Sequence, residues 1–487
     1  MLQYIINIFR GGISDENARG IIGSFKYGYA LNIHNRSDSL SCNQSMTSVG
    51  GSAVDTLINF FVPASDGTTY CFGATGSIYA RSGDGAWNLA YNDENGKITG
   101  AAEWELSDGN NYLYWATATS VARMALNGSV DLPWAAGVAT QNYKTTLNTA
   151  SWHTMKNAMG MLCIANGNYL ATIDYIGNFN ASSLNIRPGN LINCLEERDD
   201  YVIFGSQRAD ESEEGHIWSW LVTAQNYVQK KKIPIKGVNA MIDTELMLLQ
   251  GGDNGELFYS DFVNKVPIAA IPGGGKVNPG GVTINNDLAA FGFYGGDYPG
   301  IWEYGRRHKN RPQSLNYSYR LAKTVAGSSV STLGAIAVVN GEMIASWGTT
   351  DGSTSEYGVD SSSSTTKAFA RYESLEFDAK VPHITKVFDT VKLRMSPLPS
   401  GASVSILWKA DKMTTGGDSS AGAGWRYAVF GDGATTFSTA EAVECIAKIS
   451  DDMIGYEVAV ELNPTSNSSP EILAITTYFK DMKQKYA

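Results

Sequence analysis

Through the middle of the chain, short apolar runs end at a Gly or Ala, a few turn residues follow, and a second short run carries an aromatic or large apolar residue. "YCFGATGSIYAR" places Gly73 at the end of its first run and Ile78 and Tyr79 in the second. "YLYWATATSVARM" has Ala116 at that station, "MLCIANGNYLATI" has Ala165, and "YVIFGSQ", followed by "EEGHIWSW", has Gly205. "LMLLQGGDNGELFYS" gives Gly251, "LAAFGFYGGDYPGIWEYG" gives Gly292, and the least regular copy, "MIASWGTTDGSTSEYGV", gives Gly348. Runs this short, bounded by turn formers, read as strands joined by tight turns. The stations recur about every 40 to 56 residues, the period of four-stranded propeller blades. Seven blades of about 45 residues need roughly 315 residues, which the span from Gly51 to about Ala368 supplies. One such blade cannot hide both faces, whereas a ring packs each sheet between two neighbours. Tyr79, Trp218, Phe258 and Trp302 are the side chains expected to fill the layers between blades.

The pattern changes at both ends. After the Ser- and Thr-rich stretch that runs to about Lys367, the chain reads as longer alternating strands, such as "HITKVFDTVKLRM", "ASVSILWKAD" and "GYEVAVELN". Period-2 alternation with Pro, Gly and Ser clusters between strands predicts a β-sandwich over 369–487. Thr414 to Trp425, "TTGGDSSAGAGW", is expected to be a mobile hairpin tip. At the other end, "FRGGISDENARGIIGSFKYGYALNIHNRSDSLSCNQSM", Phe9 to Met46, has five glycines and scattered charges and sustains neither period. This segment cannot bury a face of its own. It does contain strand-forming pieces, Tyr4 to Phe9 and Tyr29 to Ile33, which can be held by strand addition to the propeller, the sandwich or a neighbouring subunit. Phe9, Arg10, Phe25, Tyr27 and Tyr29 are its candidate partner-contact residues. The fold expected is therefore all-β: an extended N-terminal arm over 1–50, a β-propeller of about seven blades over 51–368, and a C-terminal β-sandwich.

Composition agrees with that class and removes several functions. Fifty-one glycines, 25 tyrosines, 11 tryptophans and 17% charged residues describe a turn-rich, aromatic-rich β protein. A net charge of −11 argues against stable, sequence-specific nucleic-acid binding, which needs clustered cations to displace the counterions of the phosphate backbone. Lys230 to Lys232 reads as a solvated strand end. The cysteines, Cys42, Cys71, Cys163, Cys194 and Cys445, are far apart and odd in number, so buried apolar roles are expected rather than disulfides or a metal site. No apolar run reaches the ~18 to 20 residues of a membrane span, and the start has no small-residue cleavage site.

Catalytic patterns are sparse. The five histidines stand apart without ligand spacing, and no nucleophile elbow or phosphate-cradling loop occurs, so no catalytic residue, metal or cofactor is expected. "EERDD", Glu196 to Asp200, reads as a polar turn before a strand. "SGDGAW", Ser82 to Trp87, is similar to the aspartate-box turn of sialidases but lacks one residue of it and does not recur. Two carboxylates supplied by separate blades at one mouth of the ring would still provide a route to glycoside hydrolysis.

The opening segment carries a resemblance. An early "F-x-G-G-[ILV]" element, here Phe9 to Ile13, precedes a segment ending in "N-[IV]", here Asn32 and Ile33. With a propeller-like middle and a sandwich-like end, this resembles minor virion proteins of tailed bacteriophages, in particular the propeller-containing, tail nozzle-like class. The resemblance implies a non-enzymatic structural component of the virion, tail-associated as a nozzle, collar or hub ring. It implies a homo-oligomeric ring in contact with other tail proteins, with DNA passing through an acidic lumen. The setting would be the virion, after synthesis in the host bacterial cytoplasm. The alternative is a glycan-binding or glycan-cleaving propeller acting as a receptor-binding or depolymerase protein.

Overall fold

The computed structural model describes residues 2–9, 11, 26–34, 38–49, 54–126, 142–144, 147–210, 214–306, 313–321, 332–351, 354–378, 384–411, 413 and 415–481. Every regular element among them is a strand. The chain forms two compact units: Thr47–Ile301 with Leu321–Ser361, and Met1–Met46 with Trp302–Arg320 and Ser362–Ala487. The second of these gathers the opening segment and a mid-chain stretch together with the C-terminal strands, a grouping that the expected boundaries at 50 and 368 do not contain.

In the first unit, four-stranded sheets follow one another, their first strands being Ile58–Pro63, Gly100–Glu105, Met155–Ala158, Asn190–Arg198, Val238–Asp243, Lys276–Asn285 and Thr332–Val339. Each first strand lies beside the first strand of the next sheet, and Thr332–Val339 lies beside Ile58–Pro63, so the series closes on itself. This is a β-propeller. Its cores sit between sheets: Phe60, Phe72 and Ile78 pack with Leu113 and Trp115 of the next sheet, and Leu170 and Leu184 pack with Phe204 and Trp218. Ile58, Cys71 and Tyr79 pack with Ala335, Ile344 and Val359, which closes the ring with apolar contact. Tyr79, Trp218 and Phe258 are buried in cores between sheets, whereas Trp302 is buried against Tyr317 of its own sheet.

The Gly and Ala stations have a steric cause. A Cβ on Gly205 would lie 2.6 Å from Val238 Cγ1 and 2.7 Å from Cys194 Sγ, and one on Gly292 would lie 2.3 Å from Leu333 Cδ2. At these two stations the second strand must be small because the next sheet's first strand crosses it, whereas Gly73 and Gly251 are crowded by Thr56 and Ile235, which lead into their own sheets. Ring closure also uses the opening segment, because Gln44–Ser48 completes the sheet that starts at Thr332. Val49 N donates to Val359 O at 2.9 Å.

In the second unit, Leu2–Ile6 pairs antiparallel with Glu471–Asp481, and Tyr29–Leu31 pairs with Ala370–Glu373. Ile33–His34 pairs with Leu40–Cys42, which pairs in turn with Glu471–Asp481. The opening segment thus adds strands to two sheets, one of seven strands and one of six. Those sheets meet where Phe388 stacks on Tyr456 at 4.7 Å and Thr477 Oγ1 donates to Tyr456 Oη at 3.2 Å. The 415–425 loop, expected to be mobile, is pinned instead. Asp418 N donates to Trp425 O, and Ala421 and Trp425 pack with Leu407 and Ala459. Two buried apolar side chains outweigh the flexibility that four glycines give the loop.

Candidate functional site

The first strands that surround the propeller axis share a device. In four of them a β-branched residue is followed by an asparagine at a β-bulge: Ile58 and Asn59, Ile192 and Asn193, Val238 and Asn239, Val277 and Asn278. A bulge leaves the asparagine off the ladder and turns its amide toward the neighbouring strand. Asn59 Nδ2 donates to Ile98 O at 2.8 Å, Asn193 Nδ2 to Val238 O at 3.2 Å, and Asn278 Nδ2 to Leu333 O at 2.9 Å. Asn239 Nδ2 donates instead to Gln250 Oε1 at 3.1 Å. The buried Gln250 accepts Val277 N with the same oxygen, at 3.1 Å. In the third sheet His153 and Thr154 stand at this place. The His153 ring lies 2.7 Å from Ala165 O and 3.1 Å from Ala118 O, and Thr154 Oγ1 donates to Asn193 O at 3.1 Å. These amides clasp sheet to sheet around the axis. The repeated pair of Ile or Val and Asn is legible in the sequence, one strand ahead of the Gly and Ala stations, although those stations by themselves set the period.

On one side of this amide ring opens a cavity of about 540 Å³. Lys97, Arg208, Lys236 and Lys276 line it, with Asp253 as the single carboxylate among the described lining residues. Lys97 Nζ lies 3.9 Å from the centre of the Trp152 ring, and removal of part of its hydration lowers its pKa. Lys276 faces Asp253 at 3.5 Å, and Arg208 faces Asp210 at 2.7 Å. Tyr294 Oη donates to Asn278 Oδ1 at 2.9 Å, which joins the rim to the amide ring. A second cavity, of about 470 Å³, is lined by Lys156, Glu196 and Asp243. Here Glu196, part of the acidic run read as a turn, meets Lys156 at 2.5 Å, while Asp243 lies 3.4 Å from Arg198. Burial raises the Asp243 pKa and Arg198 opposes the rise. Each carboxylate therefore has a cation beside it.

The expected partner-contact residues divide. Phe9 and Tyr27 are buried within the chain, where both rings pack on Tyr372 with centroids 5.4 and 5.5 Å away. Tyr27 Oη donates to Asn316 Oδ1. These two side chains serve the chain's own core, because a segment without a private core gains most by inserting its largest apolar groups into one already formed. Tyr29 lies in the strand that pairs with Ala370–Glu373, opposite Glu373. Arg10 and Phe25 fall outside the described residues. The five cysteines are buried free thiols, and burial pushes Cys42, Cys163 and Cys445 up to about 12. No group of three or more His, Cys, Asp or Glu with metal-holding geometry occurs among the described residues.

What the opening segment does expose is a sheet face. Ile5 pairs with Thr476, Thr476 with Lys392, and Lys392 with Ile446, which makes one row across four strands. Ile5 is 46% exposed and Ile446 50%, although Cys445 and Ala447 on either side of Ile446 are buried. Val429, 41% exposed, pairs with Lys448 in the adjacent row, and Leu473 is exposed on Glu471–Asp481 between the buried Ile472 and Ile475. Lys392 bonds Glu444 at 2.6 Å on the same sheet. Leu2–Ile6, at the margin of the sheet, contains neither a charge nor a proline.

No protein-family model matches the chain, and no curated protein matches it. Solved structures match by shape. An extracellular domain assigned to a one component system of B. thetaiotaomicron superposes with a TM-score of 0.45 at 12% identity, over 76% of this chain and 44% of that one. Streptogramin B lyase superposes with a TM-score of 0.41 at 8% identity, over 62% of this chain and 93% of that one. The WD40 β-propeller domain of Doa1 gives 0.42 at 12% identity, over 66% and 97%. The chain spans less than half of the first of these structures, and the likeness to all three is one of fold alone.

Proposed function

We propose that this chain is a non-enzymatic structural component of a tailed-bacteriophage particle, a tail-associated subunit that assembles with copies of itself and works by the position it holds. The observation that supports this reading is the outward face of the seven-stranded sheet. Ile5, Val429, Ile446 and Leu473 stand in water there among Lys392, Glu444 and Lys448. Four exposed apolar side chains on one sheet face, with charges between them, suit a surface that a partner covers. The uncharged margin strand adds unpaired backbone groups of the kind that native edges normally protect with Lys or Pro. A second copy is the occupant, since interspersed Lys and Glu let one such face meet another with opposite charges opposed. The resemblance of the opening segment to minor virion proteins supplies the setting. The glycan-cleaving alternative would draw on Glu196 and Asp243, and the cations beside both suit a structural charge network better than an acid and base pair.

Mass photometry and sedimentation of the full chain test the assembly. Oligomers are expected from the unsubstituted protein and only monomers from Ile5→Asp combined with Ile446→Asp, with unchanged thermal midpoints because both side chains are exposed. An unsubstituted protein that stays monomeric at working concentrations, or one that releases reducing ends from host polysaccharide at enzymatic turnover, overturns the reading.

A further inference from the structure

We infer that the 540 Å³ mouth of the propeller binds a neutral sugar, a ligand that the assembly reading does not require. Hydrogen-bonding capacity left over around the axis carries the inference. Asn59, Asn193 and Asn239 each spend Nδ2 within the protein, the first two on backbone carbonyl oxygens and the third on Gln250 Oε1 and Gly252 O. An amide whose nitrogen faces a carbonyl oxygen cannot flip, so each Oδ1 has a fixed direction. None of these three oxygens accepts a hydrogen bond among the described residues, and none is sealed from the cavity that its residue lines. Asn59 and Asn193 are only 2% and 5% exposed, and a side chain that deep with an unspent acceptor draws a donor from the cavity. Gly280 holds Asn59 in place: a Cβ there would lie 2.0 Å from Asn59 O, so the floor is packed backbone on backbone. Donors face the same space. Lys97, with Nζ 3.9 Å from the centre of the Trp152 ring, and Gln207 both line it, and neither side chain hydrogen-bonds another described residue.

The ligand class follows from this mixture. Three bare amide oxygens turn the negative ends of their dipoles to the cavity and disfavour an anion, while the lysines of the rim disfavour a metal ion or an ammonium group. A neutral group that both donates and accepts suits the two sets together, and a hydroxyl does both at one atom. Hydroxyls on a saturated ring point in several directions, as acceptors on three separate strands require. The ring leaves C–H faces for Leu57, Val277 and Pro279 in the cavity wall. The volume lies within the roughly 300–1,000 Å³ range of small-ligand sites, which combine apolar walls with a few placed polar groups. The sugar is held and not cleaved: Asp253 is the single carboxylate among the described lining residues, and glycoside hydrolysis ordinarily takes two.

Saturation-transfer NMR with the full chain tests the inference, the probes being neutral di- and trisaccharides of glucose, galactose, mannose and N-acetylglucosamine. Transfer to at least one of them is expected, with its affinity weakened about tenfold by Lys97→Met and by Gln207→Leu singly. Neither side chain belongs to the asparagine clasp, and circular dichroism melts verify that both variants fold. Lys265→Met, on an outer strand, is the control and is expected to leave the affinity unchanged. Absence of transfer to every sugar overturns the site. A loss in neither mouth variant, or an equal loss in Lys265→Met, puts the sugar elsewhere on the molecule and overturns it as well. Tighter binding of tripolyphosphate or of calcium than of any sugar, with the same dependence on Lys97 and Gln207, overturns the ligand class.

Discussion

Gly334 has no side chain because the ring has no room for one. A Cβ there would lie 2.1 Å from the carbonyl oxygen of Ile58, a backbone atom that cannot rotate away. Gly334→Ala is therefore expected to destabilise the propeller by about 1–3 kcal/mol, the range for overpacking, read as a lower urea midpoint at unchanged slope. A second residue-scale consequence concerns acid. His216 is buried with Nδ1 lacking a hydrogen-bond partner, and its pKa falls from 6.5 to about 4, first through desolvation and then through Lys230. Its folded pKa is below its unfolded one, so the native state binds fewer protons in the interval between them. The stability it contributes is present above 6.5 and is lost as the pH falls toward about 4. His153, whose pKa is lowered by desolvation against the pull of two carbonyls, acts with the same sign. The thermal midpoint should fall across this interval, and less steeply in His216→Gln, as calorimetry at several pH values would record.

At the scale of the element, the opening segment behaves as a set of strands distributed to places where strands are missing. Leu2–Ile6, Tyr29–Leu31 and Ile33–His34 complete sheets of the second unit, while Gln44–Ser48 completes the sheet that begins at Thr332. Deleting residues 1–33 removes the first two of these, one of the two residues of the third and the buried rings of Phe9 and Tyr27, but keeps the strand that closes the propeller. Hydrogen exchange should then show lost protection in Ala370–Glu373 and Glu471–Asp481, with protection of Ile58–Pro63 and Thr332–Val339 retained. Uniform loss, or none, would contradict this division. Tyr27→Ala alone should cost about 3–5 kcal/mol, the range for emptying a buried aromatic site, and chemical denaturation measures it.

For the whole molecule, assembly through the seven-stranded sheet is expected to tolerate salt. Association through Ile5, Val429, Ile446 and Leu473 depends on apolar burial and should persist near ~1 M salt, where the Debye length is only about 3 Å. Sedimentation across a salt series tests this, and an oligomer that dissociates in salt would place charge, not apolar area, at its interface.

The residue pattern by itself determined the fold class, the period of the propeller and the stations at Gly73, Ala116, Ala165, Gly205, Gly251, Gly292 and Gly348. These follow from local rules: alternation decides strands, turn formers end them, and a small residue stands where packed chain leaves no room for a side chain. Tyr79, Trp218 and Phe258, which fill cores between sheets, were legible for the same reason. Only the tertiary structure decided where the opening segment goes, since a strand's partner is fixed by hydrogen-bond edges supplied more than 300 residues away, as when Leu2 pairs with Phe479. It likewise turned Phe9 and Tyr27 inward, pinned the glycine-rich loop through Ala421 and Trp425, and gathered four scattered cations into one mouth. Convergence of that kind depends on ring closure, and ring closure brings together residues with no periodic relation along the chain.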